Sequence, residues 1–169
     1  EGLYETELGR ITRILSFALK DRTSNVVKMM KFLFSANPRD ILEENRKNTM
    51  LLRYNQVNEK YQKLLEKARN FGGKGKLLYF QYGGELSISA DIANELYYNY
   101  PDKIIVVAYI KGTKVNISLR GHDVKEITIK AIQGIENARG GGHKDATGAQ
   151  INVEDLPKFK ENLERLIGK

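Results

Sequence analysis

The period of the apolar positions changes partway along the chain, and that change divides it. Ile11, Ile14, Leu15, Ala18 and Leu19 recur at helical steps, and the polar stretch Asp21–Asn25 interrupts them. Val26, Met29, Met30, Leu33 and Phe34 form a second short stripe. It stops before Asn37-Pro38, where proline restricts its predecessor and suits the first turn of a new helix. Over about residues 39 to 70, Met50, Tyr54, Val57, Tyr61, Leu64, Ala68 and Phe71 alternate steps of four and three. This heptad-like seam can pack within the molecule or pair with a partner helix. FGGKGK, residues 71–76, ends the helix, because glycine takes the left-handed cap conformation without a Cβ clash. The expected organisation is a helical segment over 1–75 and a second domain over 76–169.

Beyond that boundary the pattern alternates strand and helix. LLYFQY (77–82) and IIVVAYI (104–110) are continuous apolar runs, as expected of strands buried on both faces. SADIANELYYNYP between them has a helical pattern, with Ser89 as N-cap, Asp91 in the first turn and Pro101 past the end. KGTK (111–114) is a turn signal, so KVNISLRG returns as a hairpin partner. Val115, Ile117 and Leu119 alternate there with Asn116, Ser118 and Arg120, which puts Ser118 and Arg120 on one polar face, off the core. Residues 123–135 carry a helical spacing (Val124, Ile127, Ala131, Ile135, with Asp123 as cap), although EITI also alternates like a strand; length favours the helix. A short strand around GAQI follows. A final amphipathic helix carries Leu156, Phe159, Leu163, Leu166 and Ile167, with Asp155 and Pro157 as start signals. The expected fold is α/β, a mixed β-sheet flanked by helices and preceded by a helical connector.

Composition narrows the setting. At 169 residues, with 41% hydrophobic and 29% charged positions, the chain is a globular domain, alone or with an appendage. No apolar run approaches the ~18–20 residues of a membrane span. EGLYETELGRITRIL lacks the regions of a signal peptide, and the absence of cysteine excludes disulfide and thiolate chemistry. A cytoplasmic protein with no membrane partner is expected. The net charge of +7 favours anionic partners. Residues 1–75 hold fifteen basic and nine acidic side chains, +6, which leaves +1 for residues 76–169. Solvated helix faces and a nucleic-acid surface both account for that surplus. Because the sequence starts at Glu1 rather than Met, a fragment of a longer protein is expected.

Two histidines are present, His122 and His143, and they lie in different local elements. His122, in RGHD at a strand exit, reads as an exposed turn residue. There is no HExxH, DxD, paired-acid motif, nucleophile elbow or Walker loop, so catalysis and metal binding by this chain alone are not expected. The stretch ENARGGGHKDATGAQI (136–151) offers something else. Gly140, Gly141 and Gly142 let a ligand approach the backbone, and successive N–H groups can form an anion-binding nest. Arg139 and Lys144 flank them with charge, and His143 can donate to a phosphate oxygen. Ala146, Thr147, Gly148 and Ala149 are small enough to pack beneath. A slack glycine loop with an incidental histidine explains the same letters.

The ordered set ISLRG, VKEI and ARGGGHKDATGAQI resembles the DHH-associated domain of subfamily one, the C-terminal substrate-binding part of archaeal-type RecJ-like exonucleases and related DHH phosphoesterases. Its recurring Ser-x-Arg falls at Ser118 and Arg120, its GGGH at Gly140–His143, and its small residues at Ala146, Gly148 and Ala149. The resemblance covers about residues 76–169; residues 1–75 look like the end of a catalytic domain and a long connector. It implies a phosphate or terminal nucleotide held by Arg120 and His143, with the glycine backbone shaping the pocket. Ser118, Arg139 and Lys144 complete the expected site. The chemistry it implies is manganese-dependent, with the metal in a DHH catalytic domain absent from these residues and no cofactor bound by this chain. Two departures stand out: Arg139 replaces a common fourth glycine, and the DHH metal-ligand set is missing. The partners implied are single-stranded nucleic acid, short oligonucleotides or a nucleotide phosphate. A bisphosphate or cyclic-dinucleotide substrate, or a non-catalytic scaffold with a replication-protein partner at the seam, are the alternatives.

Overall fold

A computed structural model describes residues 6–43, 49–71 and 75–168. They form two compact units, residues 1–62 and 63–169. The first unit begins with α1 (Glu7–Ala18), whose N-cap Thr6 accepts from the Gly9 N–H. α2 (Thr23–Leu33) and the single-turn α3 (Pro38–Leu42) follow, the latter opened by an Asn37–Asp40 capping box. The helix expected over 39–70 is therefore interrupted: the chain turns extended at Glu43, and α4 is Thr49–Asn70. Residues 44–48, and 72–74 of the FGGKGK boundary, lie outside the described residues.

Ala18, Met29 and Met50 form a small core, and Phe17 packs its ring 5.0 Å from that of Tyr61. Met30 and Phe34, counted in the second stripe, stay exposed. In α4 the buried positions are Met50, Val57, Tyr61, Leu65 and Ala68. Leu65 replaces Leu64 because a straight helix drifts about 20° per heptad, so four-residue steps keep a face in line. Phe71 lies past the helix end and is exposed. Tyr61 is thus engaged in packing within the unit.

The second unit holds one five-stranded mixed sheet in the order β1-β2-β3-β5-β4. β1 (Leu77–Gly83) and β2 (Ile104–Lys111) run parallel, joined through α5 (Ser89–Asn99). β3 (Lys114–Arg120) returns antiparallel through the two-residue turn at Gly112-Thr113, where Gly112 has φ 58°. After α6 (Val124–Ala131) come β4 (Arg139–Gly142) and β5 (Ala146–Asn152), with β5 inserted between β3 and β4. A 3-10 turn (Val153–Asp155) leads into α7 (Leu156–Ile167).

Strand alternation separates the two faces. Val106, Ala108, Val115, Ile117, Leu119, Ala149 and Ile151 point to a core closed by Val124 and Ala131 of α6 and Leu156, Phe159 and Leu163 of α7. The opposite face of β2 and β3 is covered by α5. β2 is buried on both faces as expected. β1, at the sheet edge, is not: Leu78, Phe80 and Tyr82 are buried while Gln81 is exposed. Ser89 is also not the cap of α5; Ile88 holds that position, and the Ser89 hydroxyl meets Ser118 instead.

Tyr79 of β1 carries the Lys160 ammonium 5.1 Å from its ring centre. Burial pushes its phenol up to about 12. A folded pKa above the ordinary value near 10 gives stability that is intact below about pH 10 and lost as pH rises to about 12. Thermal melts stepped from pH 9 to 12 should therefore show a falling Tm, and Tyr79→Phe should flatten the decline. An equal decline in that variant would assign the loss to other groups.

Candidate phosphate site at the β3–β5–β4 end

The register brings together residues far apart in sequence. Ladder partners share a face, so three rows cross the sheet on the face that carries α5. Arg120 stands opposite Ala146; Ser118, Gly148 and Gly141 align; and Asn116, Gln150 and Arg139 align. α5 overlies the Ser118 part of the middle row, while Gly148 remains exposed. Gly148 and Gly141 carry no side chain there, and a Cβ built on Gly141 would meet nothing within 4 Å. The result is a bare floor with Arg120 at one end and Arg139, four residues along the strands from the Arg120 row, at the other.

Arg120 is half-buried and held on three sides. Its Nε donates to Asn94 Oδ1 of α5 at 2.7 Å, and its Nη1 donates to the carbonyls of Leu119 (2.7 Å) and Thr147 (3.2 Å). Nη2 has no protein acceptor among the described residues. Burial lowers the guanidinium pKa from its ordinary value and the Asp91 carboxylate opposes that shift; an arginine so placed keeps its charge. The site therefore presents a fixed cation with unspent donors. Ser118 is buried, its hydroxyl 3.0 Å from that of Ser89. The polar face expected to lie off the core is thus in part an interface with α5.

The glycine run is a strand rather than a nest. A nest needs successive N–H groups turned the same way, whereas a ladder alternates them. His143 N donates to Ala146 O at 2.9 Å, which makes that pair hydrogen-bonded and turns the Gly140 and Gly142 N–H groups toward the free edge of the sheet. Glycine is required for packing as well as for access. A Cβ on Gly142 would stand 2.6 Å from Ala146 O, and one on Gly140 would stand 3.0 Å from Ile132 Cδ1. Thr147, on the core side, meets Thr128 hydroxyl to hydroxyl at 2.6 Å.

His143 is exposed at the hairpin tip, beside Ala146 and so at the Arg120 end of the floor. Lys144 is exposed there too, its Nζ 3.3 Å from Asp123. Arg139 is separated from His143 by the length of β4, about 13 Å for four residue steps. His122 is the exposed turn residue expected, with Nδ1 2.9 Å from Asp123. Asp123 precedes α6 with φ 54° but makes no side-chain cap, its carboxylate facing His122 and Lys144. Asn94 was not legible in the sequence, because α5 reaches Arg120 only once the sheet has formed. Among the described residues, no group of three His, Cys, Asp or Glu is placed to hold a metal ion, and no helix is long and apolar enough to cross a membrane.

The family model described as DHHA1 domain matches residues 72–169. No curated protein matches the chain. Among solved structures, RecJ from Thermus thermophilus in complex with Mg2+ is similar with a TM-score of 0.66 at 16% identity, over 95% of this chain and 25% of that one. A pGpG-specific phosphodiesterase from Vibrio cholerae is similar with a TM-score of 0.59 at 17% identity, over 91% of this chain and 58% of that one. An exonuclease RecJ bound to manganese gives 0.54 at 14%, over 96% and 49%. The chain thus spans between a quarter and about three fifths of these proteins, and at such identities the likeness is one of fold.

Proposed function

The chain belongs to the DHHA1 domain family, and from that premise we propose that its α/β unit is the substrate-binding domain of a RecJ-like, manganese-dependent phosphoesterase. Arg120 and His143 grip a phosphate of single-stranded nucleic acid or a short oligonucleotide, over the floor of Gly148 and Gly141. The observation that carries this reading is the fixing of Arg120 by Asn94, Leu119 and Thr147 at the end of the sheet where His143 emerges. A guanidinium held by neutral acceptors, with donors left over, is pre-organised for an oxyanion. The described residues do not fit a metal centre. In this proposal the manganese belongs to a DHH catalytic domain, and this chain's part is to bind and orient.

The glycine strand also bears on substrate length. Four residues of β4 cover about 13 Å, room for roughly two nucleotides, which favours a short oligonucleotide or dinucleotide over a long strand. Fluorescence anisotropy with labelled oligomers of increasing length tests both points. Affinity should fall with salt, plateau after a few nucleotides, and weaken about tenfold in His143→Ala. Binding that ignores salt, or a His143→Ala protein indistinguishable from the parent, would remove the basis of the proposal.

A further inference from the structure

Arg120 ends β3, whereas His143 stands on the tip between β4 and β5, and the last ladder pair between β3 and β5 is Arg120 with Ala146. The tip is tied back through Asp145 and Lys144, and the Asp145 carboxylate is the side chain that reaches the turn's backbone. Asp145 accepts twice from the turn that leaves Arg120: its carbonyl from Gly121 N at 3.2 Å, and its Oδ1 from Asp123 N at 3.0 Å. Lys125 N adds a bond to Lys144 O at 3.2 Å, and Lys144 Nζ returns to the Asp123 carboxylate at 3.3 Å. Asp123 holds φ 54°, a conformation that costs a non-glycine residue free energy. The Asp145 carboxylate secures that conformation by occupying its N–H.

We infer that Asp145 is a positioning residue of the phosphate site: it clasps the hairpin tip to the Arg120 turn and so sets His143 relative to Arg120. The inference rests on the reading of Arg120 and His143 as phosphate ligands. Asp145 itself faces the turn and acts on the ligand through the backbone that carries His143.

The experiment is a double-mutant cycle on the full chain, read by anisotropy with a labelled, 5′-phosphorylated tetranucleotide. Asp145→Ala should weaken binding about five- to tenfold, and Asp145→Asn, which keeps the Oδ1 acceptor, should restore it to within about twofold. In a His143→Ala background, Asp145→Ala should add nothing further. A merely structural loss would cost the same in both backgrounds, and that result overturns the inference. So does an Asp145→Asn protein as weak as Asp145→Ala, or an Asp145→Ala protein that binds like the parent while His143→Ala does not. If His143→Ala and Arg120→Ala both bind like the parent, the phosphate reading itself falls, and the positioning role falls with it.

Discussion

Gly142→Ala is expected to destabilise the second unit by about 2–4 kcal/mol and to abolish oligonucleotide binding. The new Cβ would lie 2.6 Å from Ala146 O and 2.9 Å from Thr147 Cα, at a backbone φ of 141° that side chains rarely adopt. Neither atom can retreat. Ala146 O accepts from His143 N, and Thr147 is buried with its hydroxyl against Thr128. Gly148 supplies the contrast. Its Cβ would meet Ile117 O at 3.6 Å, an ordinary contact, so Gly148→Ala should cost no more than about 0.5 kcal/mol. Gly148→Leu would stand a side chain on the bare floor and should lose binding while its melting stays near that of the parent. Urea unfolding beside anisotropy separates the cases; a fully stable Gly142→Ala, or a Gly148→Leu that binds normally, would contradict this geometry.

Arg120→Ala should lower oligonucleotide affinity about 10–100-fold, since a hydrogen bond to a charged group is worth about 1.5–3 kcal/mol. It also removes one donor from Asn94 Oδ1, Leu119 O and Thr147 O, so a modest loss of stability should accompany it. Arg120→Lys discriminates charge from geometry. An ammonium cannot satisfy acceptors on both α5 and the sheet and still face outward, so it should recover less than half of the lost binding free energy. Full recovery would reduce the role of Arg120 to a diffuse charge, and unchanged affinity in Arg120→Ala would exclude the site.

Much of the fold was legible because its signals were local. The apolar runs of β2 and the alternation of β3 gave the hairpin directly, and the turn at Gly112-Thr113 set its register. The stripe of α7 was readable for the same reason, with Leu156, Phe159 and Leu163 buried, although Leu166 at its end is exposed. What was not legible depends on the order of strands. β1 reads as a buried strand until the sheet places it at an edge. RGGG carries no β-branched or aromatic residue to announce a strand, and only pairing with β5 makes β4 one. Asn94 and Asp145 are ordinary surface residues in the sequence. Their partners, Arg120 and the Gly121–Asp123 turn, are supplied by tertiary structure.

The insertion of β5 between β3 and β4 has a kinetic consequence. Two hairpins, β2–β3 and β4–β5, can each close through short turns, but the floor of the site lies across the seam between them, where Ser118 meets Gly148 and Arg120 meets Ala146. Closing that seam encloses α6 within a long loop, so it carries the larger entropic cost and follows the local pairings. A partly folded chain would hold both hairpins and still have no site. Binding competence is then a late acquisition of folding, and any ligand that requires both sides of the seam stabilises the docked state by mass action.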